Sequence, residues 1–469
     1  MMEAIFDGSL SAGTLALLVG CLVVALGFEF VNGFHDTANA VATVIYTKTL
    51  KPIPAVMLSG LCNFAGVFVG GIAVAIAIIR LLPVELLVSA GVGRGLVMVI
   101  SLLLSAMIWN LGTWWKGIPA SSSHTLIGAI LGVGMASSAM DGNFGEGVAW
   151  DKALHVGLTL LLSPVLGFAM SAGLLWILRK VIRDERVFQP PKGEEPPPSW
   201  IRGLLVLTCG GVSFSHGSND GQKGVGLIML ILIGLVPAGF ALDLDAPAAE
   251  VTRARAATVA MRDHMAPLAE ACEEGSTEPE CVIHAELVII TEALEGHATV
   301  RDIPRAERWG VREGILRIDD SLRHLEEHVE PAVMAQLRTD RAGIAPLTDY
   351  APWWVILAVA LALGIGTMIG WKRIVVTVGE KIGKSHLTYA QGASAELVAA
   401  ITIGLSSVFG LPVSTTHVLS SGVAGTMVVE GSGLQKSTVR NVALAWVLTL
   451  PAAMAISATI FFALASIIG

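Results

Sequence analysis

Long apolar stretches separated by short polar segments dominate this chain of 469 residues. A helix crosses the hydrocarbon core of a bilayer with about 20 apolar residues, so the pattern predicts an all-α polytopic membrane protein with about ten membrane segments. The stretches lie at about 13–45, 54–79, 95–115, 117–140, 153–178, 201–241, 352–371, 387–409, 410–429 and 441–468. The stretches at 117–140 and 410–429 have a second interpretation, in which they form re-entrant hairpins and do not cross the membrane.

Composition supports the membrane interpretation. Charged residues make up 14% of the chain and hydrophobic residues 54%, whereas a soluble domain carries about 25% charged residues. An ordinary soluble enzyme is therefore excluded. Glycine is abundant, with 51 residues, and in membrane helices it permits close backbone approach and helix breaks.

One polar segment interrupts the apolar chain. Residues 242–349 contain 22 of the 38 acidic residues, 11 arginines and no lysine. The other residues carry 19 of the 30 bases against 16 acids, and nucleic acid is not a plausible partner. Apolar residues near 3.6-residue spacing predict an extramembrane helical insert. Cys272 and Cys281 lie within it, and the sequence leaves open whether they form a disulfide.

Basic loops indicate the orientation, because cytoplasmic loops carry an excess of Lys and Arg. Three loops qualify, near 48–51, 179–202 and 372–384, and ten segments then place both termini and the insert outside the cytoplasm. The predicted organisation is a first transport repeat (1–183), a basic, proline-rich cytoplasmic linker (184–200), the start of a second repeat (201–241), the acidic insert (242–349) and the remainder of the second repeat (350–469).

Two sequence motifs occur twice, in the order A, B, A, B. Motif A covers 32–40 and again 216–224, and both copies read Gly-x-x-Asp. Motif B covers 117–125 and 410–418, and both copies have a glycine and a proline before a row of hydroxyl residues and a histidine. The predicted topology points the two halves in opposite directions, which is typical of inverted-repeat transporters with broken helices.

Each motif contains groups that suit ion transport. Asp36 and Asp220, in the two copies of motif A, are ionisable groups between apolar stretches, where a charge costs roughly 2.5–3.5 kcal/mol on insertion scales. They are expected to face a cavity, with a purely structural pairing as the alternative. Motif B offers free N–H groups, hydroxyl donors and a positive helix dipole, which suit an anion.

Other titratable groups lie in or near the motifs. Histidine changes charge near physiological pH, which suits proton coupling, although a local structural role is equally open. The histidines concerned are His35, His124, His216 and His417. Glu29 and Glu396 also lie in apolar runs, either as coupling groups or as helix-packing partners, and the sequence does not decide between these roles.

At these motifs the chain resembles the PiT family of inorganic phosphate transporters. The matching segments are NGFHDTANAVAT (32–43), PASSSHT (119–125), SHGSNDGQKG (215–224) and PVSTTHV (412–418). The resemblance implies phosphate bound in mid-membrane between two inverted halves. It also implies a substrate site made of Asp36, Asn39, Ser121, Ser122, Ser123, Asp220, Ser414, Thr415 and Thr416.

Two departures from the family pattern concern the coupling ion. The pattern Gly-x-Asn-Asp-x-x-Asn has asparagine where this chain has His35 in the first copy and Lys223 in the second. Sodium needs oxygen ligands, and an ammonium group is a donor without an acceptor. We therefore predict proton coupling, with His35, Asp36, Asp220 and Lys223 as the groups that carry or adjust the proton.

The resemblance also implies that phosphate travels as a neutral complex with a divalent metal such as magnesium. The metal is then a co-substrate, and no cofactor or resident metal site is expected. The sequence thus predicts a secondary active, proton-coupled phosphate symporter of the bacterial inner membrane, not an enzyme. A sodium-coupled phosphate or sulfate symporter is the alternative. The expected partners are phosphate, protons, divalent metal ions and membrane lipid, and a homodimer stays open.

Overall fold

The computed structural model describes residues 5, 10–81, 91–145, 148, 150–191, 193, 195–270, 272–273, 276–326 and 328–468, without the side chains at 37–39, 91–93, 96, 151–152 and 468. Helices account for nearly all regular structure in these ranges. The chain divides into two compact units, one made of Met1–Leu18 and Leu232–Pro352 and the other of Val19–Ile231 and Trp353–Gly469.

Seventeen α-helices are described. In chain order they are α1 Ala12–Tyr46, α2 Pro52–Val69, α3 Ala73–Ile79, α4 Gly91–Trp115, α5 Ser122–Met140, α6 Trp150–Val181, α7 Ser199–Leu235, α8 Pro237–Phe240, α9 Ala248–Met265, α10 Pro279–Leu294, α11 Arg308–Leu325, α12 Pro331–Ile344, α13 Trp353–Thr367, α14 Lys372–Val376, α15 Tyr389–Val408, α16 Thr415–Glu430 and α17 Lys436–Ile468. Short 3₁₀ segments occur at Glu185–Phe188, Val300–Asp302 and Ala345–Leu347, and a π-helical turn, Thr377–Lys381, follows α14.

Membrane-spanning helices confirm the polytopic fold class. Six helices of the described ranges are long and apolar enough to cross a bilayer, and the pair formed by Trp353–Thr367 and Lys372–Lys381, bent by 54°, adds a seventh if it is a single broken span. The count of about ten segments stays a prediction. The helix α7 is not among these candidate spans because polar residues around Asp220 interrupt its apolar side chains. The helix α16 is not among them because it has only 16 residues.

The larger unit contains the same series of elements twice. A long helix carrying motif A, α1 or α7, comes first, and a broken helix follows, α2–α3 or α13–α14. A helical hairpin carrying motif B comes next, α4–α5 or α15–α16, and a long helix with an internal proline ends each series, α6 or α17. This repetition matches the duplication predicted from the motifs.

The two motif A helices run antiparallel. The Glu29 carboxyl packs directly on Gly224, since a Cβ on that glycine would lie 2.4 Å from the Glu29 Cδ. Further along α1, Asp36 lies beside His216, and Thr43 and Thr208 both donate hydrogen bonds to Glu396. Residue numbers thus rise along α1 as they fall along α7, which is the antiparallel arrangement expected of inverted repeats.

The apolar stretch at 54–79 is not one helix but two, α2 and α3. The break lies at Gly70–Gly71, and a side chain from the other repeat holds it open. Gln222 donates to the Gly70 carbonyl at 2.7 Å and accepts from the Val74 N–H at 2.7 Å, so groups that the break frees from helical bonding are satisfied. The second repeat has its own break, before α14, at Gly370.

Each hairpin packs its second helix against the last helix of the other repeat. The helix α5 lies on α17, and α16 lies on α6, with small residues at the contacts. A Cβ on Gly132 would lie 2.3 Å from the Met454 carbonyl oxygen, and one on Gly425 would lie 2.3 Å from that of Phe168. Small residues let membrane helices approach this closely, so the hairpins connect the two halves.

The smaller unit contains the predicted helical insert. The helices α9 to α12 pack on one another around buried apolar side chains. A partly buried ion pair links α11 to α12, in which Arg341 donates two hydrogen bonds to Asp319, at 2.6 and 2.8 Å. Cys272 and Cys281 form a disulfide with their Cα atoms 5.5 Å apart, which resolves the pairing that the sequence left open.

Candidate functional site

The two copies of motif B form equivalent helix N-termini. Ser121 and Ser414 have extended backbones and act as N-caps, and their side chains accept hydrogen bonds from the N–H groups of His124 and His417, at 3.2 and 3.1 Å. Before each cap a glycine in the left-handed region turns the chain, with φ of 65° at Gly117 and 67° at Gly410. Both repeats thus present a helix N-terminus of the kind that binds anions.

The two N-termini meet each other. The Ser123 hydroxyl donates to the Val413 carbonyl at 2.7 Å, and the rings of His124 and His417 lie 4.5 Å apart, centroid to centroid. Trp446 of α17 packs on His417 at 4.1 Å and donates to the Pro119 carbonyl at 3.3 Å. Residues of both hairpins therefore lie side by side at one place.

Asp36 contacts both hairpins at once. The Ser122 hydroxyl, from the first hairpin, lies 2.7 Å from one carboxylate oxygen, and the Thr416 hydroxyl, from the second, lies 2.7 Å from the other. His35 adds a ring nitrogen at 3.2 Å. Asp36 is 2% exposed, so its charge is stabilised by these polar neighbours and not by water.

Asp220 approaches the same hydroxyl from the opposite helix. One of its carboxylate oxygens lies 3.3 Å from the Ser122 hydroxyl, and the other accepts a hydrogen bond from the Lys223 ammonium at 2.6 Å. The ammonium also donates to the Ser123 hydroxyl at 2.6 Å and to the Val413 carbonyl at 3.3 Å. Its three donors thus have three oxygen partners.

His216 lies between the two carboxylates. Its Nε2 is 3.7 Å from Asp36 and 3.4 Å from Asp220, while its Nδ1 pairs with the Asn63 side-chain oxygen at 2.8 Å. One ligand atom each from Asp36, His216 and Asp220 lies within 4.8 Å of the other two. The two carboxylates are oxygen ligands of the kind that Mg²⁺ takes, and together with the imidazole they suit a divalent transition metal.

The residue before each aspartate fixes its helix to the hairpin of the same repeat. In the first repeat, His35 pairs through Nε2 with the Thr113 hydroxyl of α4 at 3.1 Å. In the second, Asn219 donates to the Ser407 hydroxyl at 3.2 Å and to the Leu411 carbonyl at 3.1 Å. These contacts hold each carboxylate beside the N-terminus of the second helix of its hairpin, at 121–123 or 414–416, which is called the hairpin tip below.

Two more carboxyl groups lie on either side of the site. Glu29 and Glu396 are both 0% exposed. Glu29 precedes Asp36 by seven residues, and Thr43, which binds Glu396, follows Asp36 by seven, so each group lies about 10 Å from Asp36 along α1. The Glu29 oxygens have no hydrogen-bond partner among the described atoms, although Asn32 lies nearby, whereas Glu396 accepts from two threonines.

Most of the residues selected from the sequence come together at this point. Those that converge are His35, Asp36, Ser122, Ser123, Asp220, Lys223 and Thr416. Ser121 and Ser414 cap their helices, and Thr415 is buried beside them. The side chain of Asn39 lies outside the described residues. His216 was missing from the predicted site set, although its place four residues before Asp220, one helical turn away, was the available signal.

Comparison with known proteins identifies related sequences over almost the entire chain. A model described as the phosphate transporter family matches residues 32–457. The low-affinity inorganic phosphate transporter PitA of Escherichia coli (strain K12) is 44% identical, over 98% of this chain and 99% of its own length. PitB of the same organism is 42% identical, over 95% and 96%.

A more distant relative and a solved structure extend the comparison. The probable low-affinity inorganic phosphate transporter of Bacillus subtilis (strain 168) is 28% identical over 96% of this chain and 98% of its own. A solved structure titled the sodium-dependent phosphate transporter is similar with a TM-score of 0.57 at 20% identity, and the match covers 96% of this chain and 100% of that one. At that identity the likeness concerns the fold.

Proposed function

Because this chain belongs to the phosphate transporter family, we propose that it transports inorganic phosphate as a proton-coupled symporter of the bacterial inner membrane. The observation that carries the proposal is the convergence of Asp36 and Asp220, one from each inverted repeat, with the tips of both hairpins. Two helix N-termini supply positive dipole and N–H groups to a phosphate held there. The hydroxyls of Ser122 and Thr416 add direct donors.

The charges of the site support a phosphate that arrives with a cation. Two carboxylates and one ammonium give the site a net charge of about −1 when His216 is neutral, so a bare phosphate dianion would be repelled. A divalent metal bound to phosphate removes this repulsion. Asp36, His216 and Asp220 have the geometry to receive the metal of such a complex, which would enter and leave as substrate.

The surroundings of Lys223 argue for protons over sodium as the coupling ion. Its ammonium occupies the position among Asp220, Ser123 and the Val413 carbonyl where a small cation would find three oxygen ligands. A permanently bound cation of the chain leaves no room there for sodium. Coupling then depends on groups that gain and lose protons, and the site contains two carboxylates, His35 and His216.

Glu29 and Glu396 extend this proton chemistry to both sides of the site. An ionised carboxylate buried among apolar helices is costly, and such groups in membrane proteins typically serve as proton relays. Their positions, about 10 Å from Asp36 in either direction along α1, suit one proton-binding group on each side of the central site. Protons would then be able to reach the central carboxylates from either side of the membrane, just as phosphate must in a symporter.

The inverted repeats and the burial of the site support alternating access as the transport mechanism. Asp36, Asp220 and Lys223 are each 2% exposed or less, so phosphate reaches them only after the hairpins move. The two hairpins are equivalent and contact opposite oxygens of Asp36. Separation of one hairpin at a time would open the site to one side of the membrane and then to the other.

Uptake of labelled phosphate into proteoliposomes tests this function. We expect an inward proton gradient with magnesium present to accelerate uptake, and an equal sodium gradient at constant pH to leave it unchanged. Excess sulfate should not compete, because it lacks a proton to donate to the two carboxylates. Sodium-driven uptake without a proton gradient, or equal competition by sulfate, would support the sodium-coupled or sulfate alternative instead.

A further inference from the structure

A basic, tryptophan-lined cavity lies where α4 ends and α13 bends into α14. Its volume is about 670 Å³, which is within the usual range of ligand pockets. Four of the described lining residues are cationic and none is acidic. The cations are Lys116, Lys372, Arg373 and Lys381, and the tryptophans are Trp114, Trp115 and Trp371. With four cations and no acidic residue among the described lining residues, the cavity suits an anion.

The aromatic and cationic groups are fixed in place. The Arg373 guanidinium lies over the rings of Trp114 and Trp115, 4.9 and 4.6 Å from their centroids, and donates to the Trp115 carbonyl at 2.9 Å. Trp114 donates to the Gly370 carbonyl at 2.8 Å. The wall is therefore held by contacts within the chain, while the three lysine side chains are exposed.

An apolar groove continues from this cavity along the lipid-facing surface. The groove has a volume of about 490 Å³ and lies between α4 and α17. Its walls include Ile108, Leu444 and Leu448, which are 51%, 50% and 52% exposed. Lys116 lines both the groove and the basic cavity, so one ligand with a charged and an apolar part can occupy both.

We propose that the cavity and the groove together form a binding site for one anionic phospholipid. The headgroup phosphate would be held by Lys116, Lys372 and Lys381 beside Arg373, and an acyl chain would lie in the groove. Tryptophans at the ends of apolar helices mark the membrane–water interface, and basic pockets between membrane helices bind anionic headgroups. The loop near 372–384 is one of those assigned to the cytoplasm, so the lipid belongs to the inner leaflet.

The site contacts the hairpin that carries Ser122. Gly117 lines the basic cavity, and the Thr377 hydroxyl donates to its carbonyl at 2.7 Å. A headgroup that joins Lys116 to the cations of 372–381 would hold the first hairpin against α14 and its π-helical turn. If the proposed transport function is right, the lipid then stabilises one position of this hairpin and changes the rate of transport.

Lipid binding can be measured without transport, so it fails or succeeds independently of the proposed function. We would prepare the full chain and a Lys116→Gln, Lys372→Gln, Lys381→Gln variant in nanodiscs of neutral phosphatidylcholine with increasing phosphatidylglycerol. Retained lipid would be counted by native mass spectrometry, and thermal stability would be followed in the same discs. Lys51→Gln, Lys180→Gln, Arg183→Gln is the matched control, because it removes three exposed cations that lie outside the cavity.

We expect the unchanged chain and the control to retain one phosphatidylglycerol and to gain thermal stability from it. The cavity variant should bind it at least about tenfold more weakly, because each cation near an anionic lipid contributes a factor of about five. Equal retention by the cavity variant, or equal loss in the control, overturns the proposal. Stabilisation by inorganic phosphate alone that depends on the three lysines, without retained lipid, assigns the cavity to free phosphate and overturns it as well.

Discussion

Asp36 is the residue on which the two halves of the transporter depend most directly. Each of its carboxylate oxygens meets a hydroxyl from a different hairpin, and His216 and Asp220 lie against the same side. A buried carboxylate with neighbours from three elements connects the two hairpins, and the proposed proton coupling would make it a proton acceptor as well. Its loss should therefore abolish transport without removing much packing volume.

We expect Asp36→Asn to lower phosphate uptake by a factor of about 100 or more, a loss of roughly 3 kcal/mol in transition-state stabilisation. The amide has the size of the carboxyl but lacks its charge and does not gain or lose a proton near neutral pH. Initial uptake rates in proteoliposomes, normalised to inserted protein, give the measurement. Asp263→Asn, an exposed carboxyl of the insert, is the control, and wild-type uptake by Asp36→Asn would contradict the assignment.

A substitution at Lys223 distinguishes proton coupling from sodium coupling. Lys223→Asn removes the ammonium that fills the three-oxygen position and restores the asparagine of the family pattern. We expect proton-driven uptake to fall at least tenfold, and any remaining uptake to respond to sodium, because an amide offers the oxygen ligand that the ammonium lacks. Flux measured under separate sodium and proton gradients is the test, with Lys180→Asn as the control. Uptake that still follows only the proton gradient at the normal rate would show that Lys223 has no role in ion selection.

Glu29 allows coupling to be tested apart from phosphate binding. In Glu29→Gln we expect net proton-driven uptake to fall several-fold and its pH dependence to flatten, since glutamine cannot carry a proton. Exchange of internal for external phosphate, which needs no net proton movement, should continue. Glu295→Gln, at an exposed position of the insert, should leave both activities intact. Equal loss of exchange and net uptake in Glu29→Gln would instead indicate a packing role.

At the scale of the element, the contact between α7 and α2 positions His216. A Cβ on Gly217 would lie 2.1 Å from the Asn63 carbonyl oxygen, which is too close for any side chain. We expect Gly217→Ala to destabilise the protein by about 1–3 kcal/mol, the usual effect of overpacking, and to displace the His216–Asn63 pair. Thermal unfolding in detergent measures this change. Gly173→Ala, whose Cβ would enter open space, should unfold near the wild-type temperature, and equal midpoints for both variants would refute the contact.

The elements show how far the sequence alone reaches. Apolar length and the repeated motifs predicted the helical membrane fold, the duplication and the helical insert, because these depend on local patterns. The break within 54–79 was not predicted, since Gln222 stabilises it from more than 140 residues away. His216 was left out of the site for a similar reason. Its spacing of four residues from Asp220 is a local signal, but its contact with Asp36 of the antiparallel helix is recorded by no local pattern.

At the scale of the whole molecule, the insert provides a test of orientation. The predicted topology places it outside the cytoplasm, where disulfides persist, and Cys272 and Cys281 are bonded to each other. We expect both to resist alkylation in protein extracted without reductant and to react after reduction. Mass analysis of the insert peptides gives the result, with the same comparison at unpaired Cys62 as the control. Free thiols at 272 and 281 in protein from intact cells would contradict this orientation.

The central claim is that two inverted halves enclose one phosphate between Asp36, Asp220 and the two hairpin tips. A cryo-electron microscopy structure of the full chain in nanodiscs, with and without phosphate and magnesium, tests it most directly. The account predicts tetrahedral density within hydrogen-bonding distance of Ser122 and Thr416, with metal density near Asp36, His216 and Asp220, and neither feature when phosphate and magnesium are omitted. Phosphate density at a different place, with these side chains unchanged, would contradict the account.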